Sequence, residues 1–229
     1  MNDSCCCRCI YPSSRCLHLG GGGTYFDRPN WPTGSNLILF TAMNRGNIMT
    51  KKKLPFTMLI CGLDELGDEL ESFRPSHVLS ILDPNEDRDD PLIFPESIKV
   101  LSLRFFDLHA TTGSVGMMLS AQDRSEFPSI DHAIAIIAFG REIPSGGRVL
   151  CHCWAGVSRS TAAAFVLACL HMTADEAMEL IMELRPGAMP NRLIVKFADR
   201  LLRAEGRMVA AVDGHKRDVG SRSIKSIRR

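Results

Sequence analysis

The chain has 229 residues, of which 45% are hydrophobic and 23% charged. A chain of this size and composition buries a core without disulfide staples, which excludes a fibrous repeat and a wholly disordered protein. The net charge of +1 is unevenly spread. Residues 1–48 carry four Arg against two Asp, 49–202 are acidic, and 203–229 carry eight basic against three acidic residues. An acidic body argues against a nucleic-acid binder, which usually presents a basic folded face.

In chain order, residues 1–53 hold Gly20 to Gly23 in a row, Pro12, Pro29 and Pro32, and little periodicity. They are expected to form a disordered N-terminal extension. Met49, followed by Thr50 and three lysines, resembles a natural start, so the earlier residues are expected to be dispensable. From Phe56 strands and helices alternate. Phe56 to Cys61 is a short apolar run of strand length. Leu63, Leu66, Leu70 and Phe73 then mark one face of a helix that stops before Pro75. His77 to Leu82 reads as a second strand, closed by Asp83-Pro84 and the acidic run Asp83, Glu86, Asp87, Asp89 and Asp90. That run is read as a solvated loop, with steering of a basic partner as the sharper alternative. Ile98 to Phe105 alternates as a third strand.

Pro128-Ser129 opens a helix through about Arg141, with Ser129 as N-cap. Gly146-Gly147 turns the chain into a fourth strand, Arg148 to His152. Arg159 to Leu170 is a buried helix of small apolar residues. Thr173 with Glu176 forms a capping box for the next helix, which Arg185-Pro186 ends. Asn191 caps a last helix through about Arg203. The alternation predicts an α/β fold, a mostly parallel central sheet of about four to five strands flanked by helices. The domain is expected over 54–204, with 205–229 a basic C-terminal tail.

No apolar run approaches the roughly 18 residues of a membrane-spanning helix, so no integral membrane association is expected. The first residues lack the continuous apolar segment of a secretory signal. Nine cysteines, an odd number, point to free thiols in a reducing cytoplasm. Five of them, Cys5, Cys6, Cys7, Cys9 and Cys16, crowd the N-terminus beside His18. Cys6-x-x-Cys9 is a chelating spacing, but the rest matches no zinc module, and no metal or cofactor is expected.

The informative segment is His152-Cys153-Trp154-Ala155-Gly156-Val157-Ser158-Arg159-Ser160, set between a strand and a helix. In an open parallel sheet, ligands bind at the carboxyl ends of the strands. A short loop wrapped before a helix directs backbone N–H groups inward as an anion cradle. Gly156 permits the turn, and Arg159 offers a planar fork matched to phosphate oxygens. Helix N-termini and neighbouring cations favour thiolates over thiols, so Cys153 is the expected nucleophile toward a bound phosphoryl group. Ser160 can hydrogen-bond its sulfur, and His152 is expected to hydrogen-bond near the loop and tune the thiol. Cys151 shares a strand face with Cys153 but does not begin the ring. Cys61 and Cys151 are read as core thiols, with disulfide formation to an oxidised Cys153 as the alternative.

His-Cys-x5-Arg-Ser resembles the signature of cysteine-dependent protein tyrosine and dual-specificity phosphatases. Arg185-Pro186, Pro190-Asn191 and Phe197 resemble the run after the signature helix in the dual-specificity branch. Cys61-Gly62-Leu63-Asp64 and the Val-Ser-Arg-Ser-Thr-Ala stretch resemble small bacterial tyrosine-phosphatase-like proteins. The resemblance covers about residues 54–204. It implies Cys153 as nucleophile and Arg159 with loop residues Trp154, Ala155, Gly156, Val157 and Ser158 as the phosphate site. It also implies a general-acid aspartate. Asp107, just past the third strand, matches by context; Asp123 matches by spacing and is the rival. His109 and His132 are read as surface or capping residues.

The only tyrosines are Tyr11 and Tyr25, and the only glutamine is Gln122. The phosphotyrosine-recognition and water-positioning loops of the classical enzymes are therefore missing, which favours the compact dual-specificity branch. Residues 154–158 hold no lysine, which disfavours highly phosphorylated inositol lipids. The implied partner is a phosphorylated protein or other phosphomonoester. Two alternatives share these residues: a non-catalytic phosphate-recognition module and a rhodanese-type sulfur transferase.

Overall fold

A computed structural model of the chain describes residues 54–84, 92–108 and 126–215. These lie in the unit Ile48–Arg229. Among the described residues four strands form one sheet: β1 (Thr57–Cys61), β2 (His77–Leu82), β3 (Lys99–Arg104) and β4 (Arg148–His152). Their order is β1-β4-β2-β3 and every pairing is parallel. This is the expected α/β architecture. Among the described residues the helices are α1 (Leu66–Phe73), α2 (Ile130–Arg141), α3 (Arg159–Cys169), α4 (Ala174–Leu184) and α5 (Arg192–Leu201), followed by a helical stretch at 207–215. None is long and apolar enough to cross a membrane.

Burial explains the sequence pattern. All six residues of β2 are buried, as the continuous run His77–Leu82 requires of a strand covered on both faces. Edge strand β3 instead alternates, with Ser102 exposed and Leu103 buried. On one face α3 lies within the larger core, and its alanines at 162, 163, 164 and 168 are fully buried. On the other face Leu66 and Phe73 of α1 pack with Cys61, Val78 and Leu150.

Three caps expected from the sequence are present. Ser129 and His132 form a reciprocal capping box at α2, which gives His132 its capping role. Thr173 and Glu176 do the same at α4. Asn191 Oδ1 accepts from the N–H groups of Leu193 (3.0 Å) and Ile194 (3.2 Å). Such caps are each worth about 0.5–2 kcal/mol.

Two boundaries differ from expectation. Helix α1 begins at Leu66, because the Leu63 N–H donates to Trp154 O (2.8 Å) instead of entering the helix. The expected tail from 205 is folded at its start. Buried Asp199 accepts from the N–H groups of Gly206 (2.8 Å), Met208 (2.9 Å) and Val209 (3.3 Å). That carboxylate caps the stretch 207–215, whose Met208 and Val212 are buried in the larger core. Arg192 clamps Asp213 through Nε and Nη2.

Candidate active site

Parallel strands deliver their carboxyl ends to one edge. Gly62 to Glu65 follow β1, Asp83 follows β2, Asp107 lies three residues past β3, and Cys153 follows β4. The site is assembled at that edge.

The loop after β4 is turned so that its carbonyls face away from the site. Trp154 O accepts from the Leu63 N–H, and Ala155 O accepts from Arg185 Nη2 (3.2 Å). Val157 O accepts from the Met189 N–H (2.9 Å) and Thr161 Oγ1 (2.5 Å). Ser158 O accepts from the Asn191 N–H (3.1 Å) and Thr161 Oγ1 (2.9 Å). A trans peptide sets each N–H opposite its carbonyl, so four outward carbonyls put four N–H groups on the inner side. Amides gathered in this way can cradle an anion.

Gly156 is indispensable to this path. Its φ is +68°, and a Cβ there would lie 2.6 Å from the Cys61 carbonyl carbon and 2.7 Å from Gly62 N. Both neighbours are backbone and cannot rotate away. Gly156→Ala is expected to lower stability by about 1–3 kcal/mol and to weaken phosphate binding. Urea unfolding and phosphate calorimetry check the two effects.

Helix α3 starts at Arg159, and its N-cap residue Ser158 makes no side-chain cap. The Ser158 hydroxyl donates instead to Asp107 Oδ1 (2.7 Å). First-turn N–H groups of α3, which need partners from outside the helix, thus face the cradle end of the domain.

Cys153 is 2% exposed, and its Sγ lies 3.1 Å from Ser160 Oγ. Arg159 is 3% exposed. Its Nη1 donates to Asp83 Oδ1 (2.7 Å) and Phe105 O (2.9 Å), which fixes the guanidinium plane. Its Nε is buried and has no hydrogen-bond partner among the described residues. A buried guanidinium N–H is costly to leave unpaired, so this one is suited to a bound oxyanion.

Asp107 is half-buried beside the cradle. Its Oδ1 accepts from both Ser158 Oγ and Asn191 Nδ2, each at 2.7 Å. Asn191 Nδ2 also donates to Leu108 O (2.9 Å). One buried asparagine thus caps α5, holds Ser158 O through its own N–H, and grips the Asp107 segment. The rival, Asp123, lies outside the described residues, as do His109, the run from Glu86 to Asp90, and the cysteines from Cys5 to Cys16 with His18.

His152 departs from expectation. It is fully buried, and neither ring nitrogen has a partner among the described residues. Burial, with Arg104 adding to it, pushes its imidazole down to about 4, so the ring is neutral at pH 7. It packs near the Phe94 ring (centroids 6.2 Å apart) instead of hydrogen-bonding toward the loop. Cys61 and Cys151 are buried free thiols, and burial pushes Cys151 up to about 12. Their clusters differ: Cys151 packs in the larger core and Cys61 in the smaller one.

Sequence reading missed three residues. Asp83, taken as the start of a solvated acidic run, orients Arg159. Glu65 accepts from the Gly62 N–H (2.6 Å) and pairs with Arg185 (2.9 Å). Asn191, read only as a cap, also holds Asp107. A usable signal existed for two of them: Asp83 and Glu65 stand just past strand ends, where an open parallel sheet gathers its ligand groups.

The parallel sheet thus presents a cysteine, inward-facing amides and a buried arginine at one edge. Residues 108–205 match the family model described as dual specificity phosphatase, catalytic domain. The likeness to that family extends over this segment. The matched segment is rather less than half of the chain. It holds Cys153, Arg159, Ser160 and Asn191, and starts one residue after Asp107.

Among solved structures, the chain is similar to the Yvh1 phosphatase domain from Chaetomium thermophilum. The two are 21% identical over 68% of this chain and 95% of that one, with a TM-score of 0.44. It is similar to DUSP15 at 19% identity over 68% and 88%, with a TM-score of 0.44. It is similar to human DUSP28 at 20% identity over 65% and 94%, with a TM-score of 0.42. Comparison with curated protein sequences finds no match.

Proposed function

We propose that the domain hydrolyses phosphomonoesters through a cysteinyl-phosphate, with a phosphorylated protein as the substrate class. One observation carries the reading. Cys153, the unpartnered Nε of Arg159 and the carboxyl of Asp107 belong to segments that meet at one edge of the sheet.

In the first step Cys153 Sγ, as thiolate, attacks phosphorus in line. The S–P bond forms as the ester P–O bond breaks, and the electron pair leaves with the ester oxygen. Asp107 gives that oxygen its proton. The cradle amides and Arg159 hold the three equatorial oxygens throughout. In the second step Asp107, now a carboxylate, takes a proton from water as that water attacks phosphorus. The S–P bond breaks, inorganic phosphate forms, and the thiolate is restored. Ser160 stabilises the departing sulfur from 3.1 Å.

The substrate reading follows from the surroundings. Residues 154–158 supply no lysine for a second phosphate. Trp154 in the cradle is 55% exposed and Met189, bonded to Val157 O, is 47% exposed. They offer apolar surface to the group that bears the phosphate, as an aryl ester would need.

The test is hydrolysis of an aryl phosphate in the presence of a chelator, beside a thiosulfate sulfur-transfer assay. Turnover of the phosphate alone is expected. A folded protein that binds phosphate and never releases the alcohol would be a recognition module, and sulfur transfer would mark the rhodanese-type reading.

A further inference from the structure

The connection after β1 bears on the cradle from behind. Arg185, the C-cap residue of α4, donates from Nη1 to Glu65 Oε1 (3.0 Å) and from Nη2 to Ala155 O (3.2 Å). Glu65, the N-cap residue of α1, makes no side-chain cap for its own helix. Its carboxylate instead takes the Gly62 N–H (2.6 Å) and Arg185. Burial alone would raise this carboxyl, but Arg185 and the Gly62 N–H hold it below the ordinary glutamate value, so it is charged at neutral pH. Two helix ends and one cradle carbonyl are thus joined by a single guanidinium.

The peptide they reach is the Ala155–Gly156 peptide. Of the hydrogen bonds that the cradle carbonyls accept from the described residues, only the one to Ala155 O comes solely from a side chain that a substitution can remove. We propose that Glu65 and Arg185 are a positioning pair. Arg185 draws the Ala155 carbonyl outward so that the Gly156 N–H faces the oxyanion, and Glu65 orients the arginine fork. The inference rests on the cradle being the oxyanion site, and neither side chain touches the reacting atoms. The pair is partly exposed, with side chains 25% and 46% accessible, so as an ion pair it contributes little to stability. Its effect belongs in anion affinity.

The experiment measures inorganic phosphate binding by calorimetry, together with Tm, for the full chain and for Arg185→Ala, Arg185→Lys, Glu65→Ala, Glu65→Gln and the double alanine variant. Arg185→Ala is expected to weaken phosphate binding about tenfold, in line with losing a bond from a charged donor. Tm should change little. Lysine at 185 restores part of the loss, since it keeps the charge but cannot span both partners. Glu65→Gln, which keeps an acceptor for Gly62, should weaken binding less than Glu65→Ala. The double variant should bind no more weakly than Arg185→Ala, because Glu65 acts through the arginine. Phosphate affinity unchanged in Arg185→Ala, or losses that add in the double variant, would overturn the pairing. Failure of the parent chain to bind phosphate at all would overturn the cradle reading itself, a result these variants do not mimic.

Discussion

Cys153→Ser is expected to lower aryl phosphate hydrolysis by about 10⁴-fold or more, the scale on which loss of a nucleophile is felt in enzymes that form covalent intermediates. The variant should still bind inorganic phosphate. A serine Oγ fits the space of Sγ beside Ser160, and the cradle carbonyls are held by Leu63, Arg185, Met189, Asn191 and Thr161, none of which hydrogen-bonds to the Cys153 side chain. What is lost is nucleophilicity, since a serine hydroxyl ionises far less readily than a thiol. Steady-state assays with phosphate calorimetry separate the two properties. A variant that keeps turnover would remove Cys153 from the mechanism. Cys151 could not take over, because it is fully buried and its thiol is pushed up to about 12.

Asp107→Asn should cost about 10²–10⁴-fold in kcat, the usual worth of a positioned general acid. Asparagine is the informative choice. Its amide oxygen still accepts from Ser158 and Asn191, so the segment stays in place while the proton is gone. The loss should be large for an alkyl phosphate and small for an activated nitrophenyl ester, whose leaving group departs without protonation. The basic limb of the kcat/KM profile should vanish as well, because that limb reports deprotonation of an essential acid. Asp123→Asn in parallel is expected to leave both readouts as in the parent chain. If the two variants exchange behaviours, Asp123 is the acid.

The legible parts of this molecule were those encoded locally. Strands β2 and β4 are bounded by strong punctuation, Pro75-Ser76 and Asp83-Pro84 for one, Gly146-Gly147 and the Gly156 turn for the other. The three caps were readable because a capping side chain and its targets lie within three residues of each other. Cys153 and Arg159 stood out for the same reason: one loop carries both.

What stayed hidden depends on strand order. Only the β1-β4-β2-β3 arrangement places Asp83 beside Arg159 and Gly62 against the cradle, and no local pattern states that order. The folded stretch after 205 was missed because it follows a turn with three consecutive or near-consecutive positive φ values, Arg203 (+54°), Glu205 (+56°) and Gly206 (+85°). Its helix is anchored by Asp199 of α5, a tertiary contact invisible to periodicity. His152 failed in another way. Its sequence position beside the nucleophile suggested a hydrogen bond toward the loop, whereas β4 alternation turns its ring to the opposite face of the sheet from Cys151 and onto Phe94.

The central claim is a phosphorus–sulfur bond on Cys153. The most direct measurement is an acid quench during turnover of an aryl phosphate, followed by mass spectrometry of the peptide that contains residue 153. A phosphoryl group on Cys153, absent from Cys153→Ser and accumulating when the second step is slowed, is the predicted result. Turnover with no phosphoryl adduct at Cys153 under any quench, or an adduct on another residue, would contradict the mechanism.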